Sequence, residues 1–285
     1  MATWSAGSVP PRGGEREARA AAAGAAGPGL APRVELLGCP LDPVTMDEAV
    51  ARAVAWCRGE RRPHVLVTVN VAHLVAMRSD PAFARACRAG DLVVADGLPV
   101  VWASRIAGAP LPGRVAGCDL MPRLLEAAAA LGLPVYFLGA RDEVVRALAD
   151  VSVRRHPGLR VAGYRDGYFA PEESERVVAE VRRSGAAMLF VGMPSPAKDV
   201  WCEQHRDGLG VPLILGVGGS FDVLAGFVRR APAWMQRAGL EWLWRVAMEP
   251  RRLFWRYLST NTIFVGRLAV ELARRLARAG AAAAP

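Results

Sequence analysis

Lysine is nearly missing from this chain: of 36 basic residues, all but Lys198 are Arg. A compact ammonium standing alone among guanidinium forks suits a phosphate or a leaving group, though an isolated surface lysine fits as well. Cysteine is sparse too, at positions 39, 57, 87, 118 and 202, odd in number and without a C-x-x-C pair. That pattern argues against a disulfide framework and a zinc site and points to reduced thiols in a cytosolic protein. His64, His73, His156 and His205 are neither clustered nor spaced as ligands, so they read as structural or surface residues and no metal is expected. No apolar run is long enough to span a bilayer: the longest, Val211 to Val228, contains Asp222 and a Gly216-Val217-Gly218-Gly219 turn. Ala20 to Ala26 is too weakly apolar for a signal-peptide core. Neither G-x-G-x-x-G nor G-x-x-x-x-G-K-[ST] occurs, which removes support for dinucleotide and Walker-type sites, and no cofactor is expected.

What is present is a 285-residue chain, 52% hydrophobic and 22% charged, ample for a globular core. Its formal charge of +9 is unevenly placed. Residues 229–285 hold 11 Arg and 3 Glu, a local +8, while residues 34–228 hold 21 basic and 22 acidic residues, a local −1. The basic segment also carries Trp234, Trp242, Trp244 and Trp255, half of the eight Trp. Arg forks pair with phosphate and Trp rests at a wet apolar boundary, so this segment fits a membrane surface or phosphate groups. A solvated charged face over buried aromatics is the plainer alternative. The near-neutral middle argues against nucleic acid.

Residues 1–33, rich in Ala, Gly and Pro, read as a disordered tail. From Val34 to residue 228, β-branched runs alternate with helical patterns, which implies an α/β, Rossmann-like, mostly parallel sheet with helices on both faces. Strands are expected at Val34–Leu37, His64–Val69, Leu92–Ala95, Val135–Leu138, Leu159–Gly163, Met188–Val191 and Leu213–Val217. Thr45, three residues before Glu48, has the spacing of a capping box, and Asp80-Pro81 and Pro171 mark further helix starts. Further helices are expected at Leu120–Leu131, Val144–Arg154 and Ala197–Arg206. Residues 229–285 read as a helical, basic, Trp-rich appendage. Its apolar pattern from Thr262 to Leu276 suits packing against lipid or against a second copy in a homo-oligomer.

Ligands of such folds bind at the carboxyl ends of strands. Three of those loops join Gly to a following helix, where backbone N–H groups can hold an anion such as a diphosphate; ordinary strand-to-helix turns also use Gly. Asp96 follows the apolar run Leu92-Val93-Val94-Ala95. Partial burial there would raise its pKa and fit it to accept a proton, or it could cap the helix starting near Leu98.

Thr68-Val69-Asn70, Ala95-Asp96-Gly97, Gly113-Arg114 to Leu120, Phe137-Leu138-Gly139, Val191 to Asp199 and Gly216 to Asp222 together resemble the WecG/TagA/CpsF family of glycosyltransferases. Arg230-Ala231-Pro232, Leu240 to Arg245, Glu249 to Arg252 and Arg256-Tyr257-Leu258 extend the resemblance, which covers roughly residues 34–265. It implies an inverting, metal-independent transferase, in keeping with the lack of an Asp-x-Asp motif. Such an enzyme moves an N-acetylmannosamine-type sugar from a UDP-sugar donor to a lipid-diphosphate-linked sugar acceptor in cell-surface polysaccharide or teichoic-acid synthesis. The resemblance makes Asp96 the general base, places Thr68, Asn70 and Arg114 in the catalytic pocket, and puts Asp222 on the uracil nucleoside. Gly139, Lys198, Gly218 and Gly219 belong to the matching substrate loops, and Arg245, Arg252 and Arg256 to an appendage that closes at the membrane and assists the leaving diphosphate. Many relatives read Pro-Lys-Gln-Glu where this chain reads Pro196-Ala197-Lys198-Asp199. The expected place of action is the cytoplasm, peripherally on the inner face of the plasma membrane. Two other functions fit less well: a nucleotide-binding scaffold for polysaccharide assembly, and another UDP-sugar enzyme such as an epimerase.

Overall fold

The computed structural model describes residues 31–59 and 62–282, with Arg252 and residues 276–282 described through their backbone alone. The expected tail over residues 1–33 thus lies almost wholly outside the described residues. Arg33 at its end is fixed: Nε meets Asp42 Oδ1 at 2.9 Å, and Nη2 donates to the carbonyls of Gly90 and Asp91.

The chain opens with β1 (Val34–Leu36) and β2 (Cys39–Leu41), then α1 (Met46–Arg58) and β3 (His64–Val69). Next come α2 (Val71–Ala76), α3 (Pro81–Arg88), β4 (Leu92–Ala95), α4 (Leu98–Ile106) and α5 (Gly117–Leu131). Then follow β5 (Val135–Gly139), α6 (Asp142–Arg155), β6 (Val161–Arg165), α7 (Ser174–Ser184), β7 (Met188–Gly192), α8 (Ala197–Leu209) and β8 (Leu213–Gly216). Four helices close the chain: α9 (Ser220–Leu224), α10 (Ala233–Arg237), α11 (Glu241–Met248) and α12 (Pro250–Ala282). Strands β3 to β8 form one parallel sheet in the order β4-β3-β8-β7-β5-β6.

The expected α/β architecture is therefore present, with one correction at its start. Val34–Leu36 does not join the parallel sheet; it pairs antiparallel with Cys39–Leu41. Leu37 and Gly38, both at positive φ, make the two-residue turn whose twist matches a hairpin. The sixth sheet strand starts at Val161 rather than Leu159, because the Leu159 amide bonds back to the His156 carbonyl in a turn.

The sheet strands are apolar on both faces, as buried parallel strands must be. Val65, Val67, Val69, Leu189, Val191 and Ile214 face one core layer, where α2, α3, α4, α7 and α8 supply Leu74, Phe83, Val100, Val177 and Trp201. Leu66, Phe137, Phe190, Leu213 and Leu215 face the other, covered by Ala49, Leu120, Leu124, Val144 and Phe221 from α1, α5, α6 and α9. Each large apolar side chain so buried contributes about 1.5–3 kcal/mol, which is what holds the sheet's carboxyl edge rigid. The α1 start forms the expected capping box: the Thr45 hydroxyl accepts from the Glu48 amide and the Glu48 carboxylate accepts from the Thr45 amide. The long α12 returns to the body. Phe264 is buried against the first core layer, and Arg267 Nη1 donates to the Val75 carbonyl at 2.9 Å, near the end of α2.

Candidate functional site

Strands β3, β4, β7 and β8 end side by side, and the loops leaving them carry most of the residues singled out by sequence. Thr68, 4% exposed near the end of β3, donates its hydroxyl to the Gly216 carbonyl of β8 at 3.4 Å. Asn70 caps α2: its Oδ1 accepts from the His73 amide and lies 2.9 Å from His73 Nδ1. This short helix is absent from the sequence reading, which left Asn70 in a loop.

Asp96 stands just beyond β4, its amide bonded to the Val69 carbonyl at 2.7 Å. The helix-capping alternative falls away, since Gly97 occupies the cap of α4 and no side chain caps that end. Among the described residues no hydrogen bond or ion pair engages the Asp96 carboxylate. Its pKa is raised, chiefly by desolvation; Arg245, Arg114 and Lys198 pull it down and Glu241 pushes it up. A carboxylate without a partner, facing three basic groups, can take a proton and hand it on to water.

The appendage helix α11 brings Arg245 into that field. Desolvation works against its guanidinium, and Tyr257, Cys118, Asp96 and Glu241 outweigh it, so its pKa is raised. The pKa of the Cys118 thiol, 3.0 Å from Ser220 Oγ, is raised by desolvation and by Asp96, against the Ser220 hydrogen bond and the charges of Arg245 and Arg230.

Arg114 is held in a ring of four charges that the sequence did not disclose. It pairs with Asp119 at 2.7 Å and with Glu241 of α11, while Arg230 pairs with Asp119 at 2.7 Å and with Glu241 at 3.5 Å. Two of these residues come from the loop before α5 and its first turn, two from the appendage, so the ring clasps the appendage onto the body. Among the described residues the buried Arg230 Nη2 has no hydrogen-bond partner, a donor that the clasp leaves open. The clue available in sequence was the rarity of Glu in the basic segment: Glu241 is one of three.

Lys198, in the first turn of α8, is 3% exposed rather than on the surface, and its Nζ pairs with Asp199 Oδ1 at 3.2 Å. Its stem lies on Gly216, where a Cβ would come within 2.7 Å of Lys198 Cε. Beyond β8, Gly218 at φ +52° and Gly219 have open space where a side chain would stand, leaving their backbone approachable. Asp222 in α9 is half-buried, and among the described residues no hydrogen bond or ion pair engages its carboxylate.

Other expected residues are not brought to this cluster. Gly139, φ +134°, packs so tightly on β7 that a Cβ would sit 2.5 Å from the Gly192 carbonyl carbon, a structural demand for glycine. Arg256 is exposed on α12, near the Tyr257 ring, and the Arg252 side chain lies outside the described residues.

The protein is thus an α/β protein with a parallel sheet whose carboxyl edge carries an unpartnered carboxylate and several cations, the edge at which ligands of such folds bind. The family model described as Glycosyl transferase WecG/TagA/CpsF family matches residues 34–278, and the chain belongs to that family of glycosyltransferases.

Proposed function

We propose that the protein transfers a sugar, of N-acetylmannosamine type or a related hexose, from a UDP-sugar donor to a lipid-diphosphate-linked sugar acceptor, with inversion, in cell-surface polysaccharide synthesis. The observation that carries this reading is the unpartnered Asp96 carboxylate at the end of β4, within the electrostatic reach of Arg245, Arg114 and Lys198. In the reaction the acceptor hydroxyl oxygen bonds to the anomeric carbon as its proton passes to Asp96. The bond from that carbon to the β-phosphate oxygen breaks, and UDP leaves with the electron pair. Negative charge grows on the diphosphate in this step, and fixed basic groups stabilise it most because they need no reorganisation. Arg245 and the open Nη2 of Arg230 are suited to that work; Gly218, Gly219 and Asp222 are suited to the nucleoside half.

The membrane side of the reading rests on the appendage surface. Trp234, Phe254, Trp255, Leu258, Ile263 and Val265 are exposed there together with Arg251 and Arg256, the composition of an interfacial helix. No helix among the described residues is long and apolar enough to cross a membrane. The test is a panel of UDP-sugars with a polyprenyl-diphosphate-sugar acceptor, run with and without anionic vesicles. One donor turned over by the native protein and left intact by Asp96→Ala supports the proposal. Turnover retained in Asp96→Ala removes the base, and UDP binding without turnover for any donor favours a nucleotide-binding scaffold.

A further inference from the structure

Asn70, the cap of α2, and Lys198, in the first turn of α8, are the two ends of one chain of polar contacts. His73 Nδ1 lies 2.9 Å from Asn70 Oδ1, and its Nε2 lies 3.3 Å from Ser195 Oγ. Ser195 donates to Asp199 Oδ2 at 2.6 Å, and Asp199 Oδ1 meets Lys198 Nζ at 3.2 Å. His73, Lys198 and Asp199 are each less than a tenth exposed. Burial drives the His73 pKa down to about 4, with Asp199 opposing and Lys198 adding to it, so the ring is neutral and its single N–H serves either Asn70 Oδ1 or Ser195 Oγ. Asp199 is held as an anion: desolvation opposes this, and the Lys198 charge and the Ser195 hydrogen bond outweigh it.

Asp199 is answered on both oxygens, by the Ser195 hydroxyl and by Lys198, and Lys198 is the member with donors to spare. An ammonium has three protons to donate, and Asp199 is the acceptor for one; among the described residues Lys198 Nζ has no other. A buried donor left unfilled is costly, and this one stands against Gly216, where the open Gly218-Gly219 turn begins. We infer that Lys198 supplies the open donors to a phosphate oxygen of the nucleotide diphosphate, and that Asp199, Ser195 and His73 are positioning residues that fix Lys198 and Asn70 together. The inference rests on the donor proposed above and adds to it three residues that touch no substrate. A cation at this depth needs the anion beside it, and that anion is held in place by the Ser195 hydroxyl.

The test titrates UDP and, separately, uridine into the full-length protein by calorimetry, comparing the native chain with Lys198→Met, Asp199→Asn, Asp199→Glu and the paired Lys198→Met/Asp199→Leu, each checked for a cooperative melt. Lys198→Met and Asp199→Asn are expected to weaken UDP at least about tenfold while uridine changes less than about threefold, the loss of one charge-assisted bond to phosphate. Asp199→Glu is expected to recover part of the UDP affinity, and the paired variant to fold without recovering it. Equal weakening of UDP and uridine, or native UDP affinity in the paired variant, makes the chain purely structural and overturns the inference. Native UDP binding that Lys198→Met leaves unchanged overturns the inference alone, whereas no UDP binding by the native protein overturns the donor assignment and the inference with it.

Discussion

Replacing Glu241 by Gln removes one charge from the clasp and little volume. Glu241 meets both Arg114 and Arg230, and the four side chains of the ring are 17 to 30% exposed, so solvent screens them only in part. A fully exposed pair is worth about 0.2–1 kcal/mol. Two partly covered pairs, discounted for the hydrogen bonds that Gln retains, put the loss at about 1–2 kcal/mol. If the ring is what docks α11, the population with α11 lifted from the body rises about 5- to 30-fold. Hydrogen exchange reads that population: amides of Trp244, Arg245 and Val246 should exchange faster by the same factor, while those of β3 and β8 stay unchanged. The native protein should move toward the variant in 1 M salt, where the screening length falls to about 3 Å. Because α11 carries Arg245, transfer should weaken in parallel. Exchange over residues 241–248 that neither the substitution nor salt alters would refute the clasp as the fastening.

Three further outcomes follow from single contacts. Asp96→Asn should lower transfer about 10²- to 10⁴-fold, by kinetics at saturating donor. It should also melt higher than the native protein near neutral pH: a carboxyl whose folded pKa is raised contributes stability below its unfolded pKa and loses it as pH rises through the folded value, so the two melting curves should converge on acidification. Arg245→Met removes the largest influence holding the Asp96 pKa down, so the acid limb of the pH–rate profile should move to higher pH; an unmoved limb would separate the two residues. Gly192→Ala would put a Cβ 2.5 Å from the Phe221 ring and should cost about 1–3 kcal/mol in urea denaturation.

The sheet was legible because parallel strands buried on both faces leave continuous apolar runs such as His64-Val65-Leu66-Val67-Thr68-Val69, and because Thr45, Asp80 and Pro171 mark helix starts locally. Val34–Leu36 shows the limit of that signal. A short apolar run does not say which partner it pairs with, and the deciding feature was a turn at Leu37-Gly38 that bends the chain back on itself. The helix at Val71–Ala76 was equally hidden: a six-residue helix has no periodicity to read, and its cap, Asn70, resembles any loop asparagine. Site residues divide in the same way. Asp96 was accessible because it breaks an apolar run at a strand end. The clasp joins Asp119 to Arg230 and Arg114 to Glu241, and the Asn70 to Lys198 chain joins His73 to Ser195, all more than 110 positions apart along the backbone, and no spacing encodes such a meeting.

Unfilled polar groups are the physical thread through these findings. Several polar side chains elsewhere in the body are answered from within it: Asp42 by Arg33 and the Val93 amide, Asp91 by Arg206, Ser104 by the Val101 carbonyl. At the carboxyl edge of the sheet the answers run short, since Asp96 and Asp222 have no partner among the described residues, Lys198 has one acceptor for three protons, and Arg230 Nη2 has none. Folding selects against such debts unless something outside the chain settles them. An anion and a hydroxyl arriving together would settle all four kinds at once, with phosphate oxygens for Lys198 and Arg230, a proton for Asp96 and donor groups for Asp222. The same division appears in the charge distribution: the body is close to neutral because its carboxylates are consumed by its own arginines, and the appendage keeps a surplus because only Glu241, Glu249 and Glu271 are there to consume it. Glu241 spends its charge on the clasp. Arg245 toward the site and Arg251 and Arg256 toward solvent are what the appendage would offer to phosphate in the proposed transfer.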